Sequence, residues 1–407
     1  MNFKAKTDIN PQKVEEFLTK GVENIFPNKD YLVSRMLSGN KLTIYLGIDP
    51  TGPTLHMGHA IQLKKLGEFQ KLGHQVILLI GDFTAMIGDP TDKKAIRKQL
   101  TRKEVLNNCK LYKKQASIFL KFSGSNKALL KYNSKWLAKM NLTQFIDLAS
   151  KITVDQMLKR DMFAKRMEES KPIALHEFFY PLMQGYDSVA MNVDGEIGGN
   201  DQMFNMLTGR DLLKEVSGKE KFVITSKLLV DNTGKKMGKT EGNIVSFLDG
   251  PFEKFGKIMS WTDGMIVGGY ELCTDTSLSE IKEIEESLSG GKVNPRDLKV
   301  RLAKEVVKFY HGAEMAEKAE QNFVDTFKKG GVPDDAPEKL VEKGIALVTG
   351  LMEAGLVPSK SEFRRLVEEG AISEVETEEK ISDLAYKIEK DINIKVGKRR
   401  FLRIKIK

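Results

Sequence analysis

The spacing of apolar positions changes period most sharply between Lys41 and Leu63. Leu42 to Ile48 is apolar and rich in β-branched and aromatic residues, which predicts a buried strand. Asp49-Pro50-Thr51-Gly52-Pro53 ends it, because two prolines and a glycine break the ladder and force a turn. Beyond Thr54, the residues Leu55, Ala60, Ile61 and Leu63 recur at helical spacing, so a helix begins beside His56 and His59. Gly73-His74 then turns the chain into a second apolar strand, Gln75 to Gly81. A strand-helix-strand unit of this length predicts a parallel, right-handed crossover and a doubly wound α/β sheet.

Around this centre the pattern is mostly helical. Pro11 to Gly21 and Tyr31 to Leu37 read as amphipathic helices, and Lys93 to Lys114 as a basic one. His176 to Asp201 carries a helix followed by a short strand ending at Gly198-Gly199. Phe222 to Leu229 is a further apolar strand. Helical periodicity returns over Phe252 to Trp261, Leu278 to Leu288, Pro295 to Tyr310 and Ala313 to Lys328. Gly330 to Pro337 reads as a linker. A compact tail from about 340 to 407 has Leu351, Leu356, Phe363, Leu366 and Val367 as its small core. Its last stretch, Ile392 to Lys407, holds seven Lys or Arg and no acid, and alternates apolar with basic residues like a strand with a basic face. An edge strand guarded by lysines has the same pattern.

Composition adds limits. The chain has 407 residues, 41% hydrophobic and 30% charged, which suits two or three domains with a large core. The net charge of +9 suits a polyanionic partner without requiring one. Two cysteines without CxxC spacing leave neither a cysteine zinc site nor a disulfide framework, as in a reducing cytosol. The N-terminal stretch has no apolar signal region, and the apolar run Val76 to Ile80 is too short to span a bilayer, so the expectation is a cytoplasmic protein without membrane contact.

Candidate chemistry clusters at the strand ends. His56 and His59, three apart, share the first turn of a helix whose free N–H groups and dipole favour a phosphate, and Gly58 leaves room for a flat ring against the backbone. A histidine at a helix start also serves as a plain capping or surface residue. Asp231 to Thr240 is a loop rich in glycine and lysine, suited to closing over a triphosphate, although a solvated basic loop looks the same. Thr84 and Asp89 follow the second strand, where ligands of open parallel sheets collect, and Lys93 and Arg97 lie four apart within reach of a pyrophosphate. Tyr180, Gln184 and Asp187 form a polar stripe on an otherwise apolar helix, which suggests a buried pocket. Asp201, beyond the glycines of its strand, is placed to accept from a ribose.

The stretches YLGIDPTGPTLHMGH, GDFTAMIGDPTDK, FFYPLMQGYD, IGGNDQ and KKMGKT, taken in this order, resemble bacterial-type tyrosyl-tRNA synthetases, members of the class I aminoacyl-tRNA synthetases. His56-Met57-Gly58-His59 resembles the HIGH signature of that class, and Lys236-Met237-Gly238-Lys239-Thr240 the KMSKS signature. VPSKSEFRRLVEEGAI resembles the start of the S-four RNA-binding module of these enzymes. The resemblance implies a Rossmann-like catalytic domain over residues 1–228, a lysine loop and helical anticodon-region domain over 229–332, and a small α+β S-four-like domain over 340–407. It implies tyrosine activation by ATP with Mg2+, no structural metal, transfer of tyrosine to tRNA(Tyr), and a homodimer.

Carried over by position, the resemblance assigns the substrate phenol to Tyr45 and Asp187. It assigns the ammonium to Tyr180, Gln184 and Asp89, with Thr84 lining the pocket and Gln202 at the carboxylate. Rejection of phenylalanine by tyrosyl synthetases is itself the standing example of a hydroxyl-specific pocket that needs no editing. For ATP it implies Gly47, Asp49, Thr51, Gly58, Gly199 and the ribose-binding Asp201. The phosphates would face His56, His59, Lys93 and Arg97, with Lys236, Lys239 and Thr240 closing on them. Met57, Gly238, Thr240 and Met203 depart mildly from the commoner pattern. A tryptophanyl synthetase or small nucleotidylyltransferase is disfavoured by Tyr45 with Asp187 and by the length and basic tail. A noncatalytic RNA-binding relative would be expected to lose the histidines or lysines.

Overall fold

A computed structural model describes residues 7–90, 99–158, 160–230, 244–328, 332, 336–377, 379–397 and 400–407. These fall into two compact units, one comprising 1–248 with 267–287 and the other 249–266 with 288–407.

The first unit is built on a six-stranded sheet of β1 (Val22–Phe26), β2 (Thr43–Ile48), β3 (Gln75–Ile80), β4 (Leu129–Tyr132), β5 (Gly195–Gly199) and β6 (Phe222–Ser226), in the order β1-β6-β5-β2-β3-β4. From β6 to β4 all neighbours run parallel, and β1 joins the β6 edge antiparallel. Every residue of β5 and β6 is buried, as are all but the first of β3, because helices cover both faces of a parallel sheet. The chain winds from β2 through β3 to β4 on one side, and through β5 to β6 on the other. The switch point therefore lies between β2 and β5, and the loops after Ile48 and Gly199 leave the sheet on its two sides.

Local chemistry sets the element ends. Asn10 accepts from Gln12 and Lys13 and starts the helix Pro11–Thr19. Thr101 and Glu104 form a capping box that starts the helix Arg102–Asn108. The basic helix expected from Lys93 therefore begins, among described residues, at Arg102, with 91–98 outside them. Between the two helices expected over Pro11 to Gly21 and Tyr31 to Leu37 the structure adds β1, because Val22–Phe26 gains its ladder partner only from β6, some two hundred residues on. The strand expected over Phe222 to Leu229 stops at Ser226.

In the second unit the helices Pro251–Met259, Pro295–His311 and Ala313–Lys328 pack through Phe255 on Phe323, ring centroids 5.4 Å apart, and Lys254 over the Tyr310 ring. Beyond them β7 (Glu338–Val341), β8 (Ile372–Glu374), β9 (Ile392–Val396) and β10 (Arg400–Ile406) form a second sheet in the order β7-β10-β9-β8. Leu347, Leu351, Phe363, Leu366, Leu402 and Ile404 are buried in one core between this sheet and its helices. The closing segment is thus a hairpin of two strands rather than one strand, with Leu402 and Ile404 inward and Lys405 exposed. Among the described residues no helix is long and apolar enough to cross a membrane.

Candidate active site

The switch point places Tyr45 and Gly47 side by side on one face of β2. Tyr45 is fully buried, yet Gly47 is exposed although it lies in the middle of the sheet. A Cβ at Gly47 would meet nothing closer than 3.9 Å, so the missing side chain leaves an open floor above Tyr45 and Leu79. The loop beyond β2 is fixed from one helical segment: Asn108 donates to the Pro50 carbonyl at 2.9 Å, Tyr112 to that of Gly52 at 2.7 Å, and Gln115 to that of Pro53 at 3.1 Å. Gln115 also accepts from the Leu55 N–H at 2.7 Å. Thr51 sits half-buried in this loop and its N–H donates to the Asp49 carbonyl at 2.8 Å.

A continuous polar arc runs beside that floor. The Tyr180 hydroxyl donates to Asp49 Oδ2 at 3.1 Å, and the Thr84 hydroxyl to Asp49 Oδ1 at 2.7 Å. Asn133, fully buried, donates through Nδ2 to Thr84 Oγ1 at 3.0 Å and to Asp187 Oδ2 at 3.2 Å. Trp136 Nε1 donates to Asp187 Oδ1 at 2.7 Å. Burial pushes the Asp187 carboxyl well above the usual carboxylate range, opposed by the Trp136 and Asn133 donors. Burial and the charges of Asp49 and Asp89 hold the Tyr180 phenol protonated. Two carboxylates around a buried hydroxyl suit a cation.

Tyr180, Gln184 and Asp187 do share one helix, Phe179–Met191, but each turns to a different partner. Gln184 Nε2 donates to Glu196 Oε1 at 3.1 Å, and its own Oε1 is buried without a partner among the described residues. Asp89 accepts from Gln202 Nε2 at 2.7 Å and lies 3.7 Å from Arg160. Of the trio expected around an ammonium, Tyr180 turns to Asp49, Gln184 to Glu196, and Asp89 accepts from Gln202. Asp49, expected on the nucleotide side, sits in the same arc as Thr84. A Cβ at Gly199 would fall 2.5 Å from Asp201 Oδ1, so this glycine makes room for that carboxylate as β5 ends.

His56 caps the helix Met57–Lys71 and His59 lies in its first turn, ring centroids 4.0 Å apart. The His56 N–H donates to His59 Nδ1 at 3.2 Å, which holds the second ring against the helix start. A Cβ at Gly58 would lie 3.0 Å from His56 Cε1 and press that imidazole aside by a few tenths of an ångström. The chain re-enters beside this motif: the Met57 N–H donates to Val245 O at 2.9 Å and the Phe247 N–H to Leu55 O at 3.0 Å. Lys93, Arg97, Lys236, Lys239 and Thr240 lie outside the described residues.

A family model for tRNA synthetases class I (W and Y) matches residues 37–328. The chain belongs to the class I tRNA synthetases. Similarity extends along nearly the whole chain to tyrosine-tRNA ligases. That of Carboxydothermus hydrogenoformans is 44% identical over 402 residues, 96% of this chain and 97% of the relative. That of Thermotoga maritima is 42% identical over 397 residues, 97% and 98% respectively. Among solved structures, a C-terminally truncated mitochondrial tyrosyl-tRNA synthetase of Aspergillus nidulans shares the fold with a TM-score of 0.65 at 23% identity, over 77% of this chain and 94% of that one. A tyrosyl-tRNA synthetase of Archaeoglobus fulgidus, complexed with L-tyrosine, matches with 0.61 at 21% identity, over 76% and 100%.

Several residues of the candidate site escaped the sequence pattern: Asn133, Trp136, Ser188, Glu196 and Lys221. None lies in a recognisable motif. The one available signal was indirect, since a polar stripe on an apolar helix requires buried partners from elsewhere.

Proposed function

We propose that the chain is a tyrosine-tRNA ligase, which joins L-tyrosine to ATP as tyrosyl-adenylate with release of pyrophosphate and then passes tyrosine to the 3′ end of tRNA(Tyr). The observation that carries this reading is the likeness to tyrosine-tRNA ligases along nearly the whole chain. The polar arc supports the placement of substrate. In this reading the phenol lies between Tyr45 and Asp187, and the ammonium near Tyr180, Gln184 and the carboxylates of Asp49 and Asp89. Thr84 lines the pocket and Gln202 meets the carboxylate. The nucleotide occupies the open floor at Gly47 and reaches Asp201 past Gly199. His56 and His59 face its phosphates, with Lys236, Lys239, Lys93 and Arg97 completing the charge.

The substrate carboxylate is already an anion at neutral pH, so no side chain acts as a general base. Its oxygen attacks the α-phosphorus as the bond to pyrophosphate breaks. The chain contributes positioning and donors to the growing negative charge, and magnesium enters as the counter-ion of ATP. In the second step a terminal ribose hydroxyl of the transfer RNA takes the tyrosyl group and AMP leaves. The second sheet and its basic hairpin form an S-four-like RNA-binding tail in this reading, supported by its α+β build and by Arg400, Lys405 and Lys407 standing exposed. A homodimer belongs to it too, with the exposed apolar Leu142, Ile146 and Val154 as contact candidates.

The test is ATP-pyrophosphate exchange with each amino acid in turn, followed by charging of tRNA(Tyr). Exchange driven by tyrosine alone is expected. Exchange driven by tryptophan would overturn the assignment of Tyr45 and Asp187, and none with any amino acid would overturn the activity.

A further inference from the structure

Beneath the arc lies an ion pair that motif chemistry does not use. Lys221, fully buried just before β6, pairs with Glu196 of β5, itself 2% exposed. Lys221 Nζ also donates to Ser188 Oγ at 2.8 Å, and that hydroxyl lies 3.0 Å from the Tyr45 hydroxyl. The second oxygen of Glu196 accepts from Gln184. The space is cut to fit: a Cβ at Gly209 would sit 2.8 Å from Lys221 Nζ and 2.9 Å from Ser188 Oγ.

As a stabilising device such a pair is a poor choice, because burying two charges costs about what their attraction returns, and apolar replacements are often as stable. Its contacts, however, end on residues at both ends of the proposed tyrosine pocket. We propose that the Lys221–Glu196 pair is a positioning device that fixes the direction of the pocket's hydrogen bonds, and this rests on the reading of the pocket given above. An ammonium only donates, so Ser188 Oγ accepts from Lys221, and in this proposal its own proton goes to the Tyr45 oxygen 3.0 Å away. The Tyr45 proton then remains to be given to the substrate phenol. A carboxylate only accepts, so the Gln184 amide nitrogen faces Glu196. Its oxygen, buried without a partner among the described residues, is left for the substrate ammonium. Burial first, then the charges of Glu196 and Asp187 and the hydroxyl's interaction with the Glu196 carboxylate, keep the Tyr45 phenol protonated and so able to donate.

The test is a double-mutant cycle in the full chain, read by ATP-pyrophosphate exchange with tyrosine and with phenylalanine. Ser188→Ala, a small change, is expected to raise the tyrosine KM and to lower preference over phenylalanine, each about tenfold, the scale of one misdirected hydrogen bond. The ATP KM stays unchanged. Tyr45→Phe is expected to lose at least as much, and Ser188→Ala added to it to lose nothing further. Equal losses from Ser188→Ala in the wild-type and Tyr45→Phe backgrounds, or no loss from Ser188→Ala in the wild-type background, would overturn the relay while leaving the pocket intact. Tyr45→Phe with unchanged tyrosine KM and unchanged rejection of phenylalanine would overturn the pocket reading and the relay with it. Lys221→Met combined with Glu196→Leu removes both charges without stranding either, and should reproduce the Ser188→Ala phenotype and release Gln184. Wild-type selectivity in that variant would equally sink the proposal.

Discussion

Asp187 is held by two donors from a distant segment, Trp136 at 2.7 Å and Asn133 at 3.2 Å, and this defines what a single change there does. Asp187→Asn replaces one acceptor by a donor facing donors. Tyrosine kcat/KM in exchange is expected to fall by about a hundredfold or more, roughly 3 kcal/mol, as for a buried polar group left mispaired. The ATP KM should not move, and a variant with unchanged tyrosine kinetics would remove Asp187 from the pocket. His74 carries a different prediction. It is fully buried, stacked on Phe69 at 4.3 Å, and accepts the Leu42 N–H through Nδ1, while its Nε2 has no partner among the described residues. Burial first, then the charge of Lys41, pushes its imidazole from 6.5 down to about 4. The unfolded chain therefore binds the proton more readily. Stability from this group is complete above pH 6.5 and is lost as pH falls toward about 4, by roughly 3 kcal/mol. Urea unfolding of wild type and His74→Phe at pH 7 and 4.5 checks it, the variant losing less on acidification.

At the scale of elements, the strand, turn and helix around His56 were legible because their apolar period switches abruptly at Asp49-Pro50. So was the polar stripe of Tyr180, Gln184 and Asp187, since a helix repeats its faces regardless of partners. What was illegible is what depends on distant pairing. Val22–Phe26 has a polar interior and becomes a strand only against β6, and Asn133 and Trp136 enter the site from the end of β4. The helix Met265–Cys273, apolar nearly all round, offered no amphipathic period. Close packing also sets limits that a pattern cannot display. A Cβ at Gly195 of β5 would fall 2.1 Å from the Phe222 ring, so Gly195→Ala is expected to cost about 2 kcal/mol of overpacking, seen as a lower urea midpoint. An unchanged midpoint would mean that β5 and β6 yield more easily than their full burial suggests.

For the molecule as a whole, the second sheet decides where a dissecting cut belongs. β7 starts at Glu338 and pairs with β10, so a cut near Gly355 would strand β7 without its neighbour. Ending the chain at Lys328 instead is expected to spare tyrosine-dependent exchange and to lower tRNA charging by tenfold or more, the latter through loss of phosphate contacts. Undiminished charging would remove the tail from RNA binding. The two sheets share a further trait: in each, the strand made first is held by the strand made last, β1 by β6 and β7 by β10. On the ribosome this imposes a wait. At typical elongation rates about 10 to 40 seconds separate the synthesis of Phe26 from that of Phe222, and through that interval the nascent β1 has no ladder to join. Slowing translation across the intervening codons lengthens the exposure of an unpaired strand, and chaperone demand should rise with it.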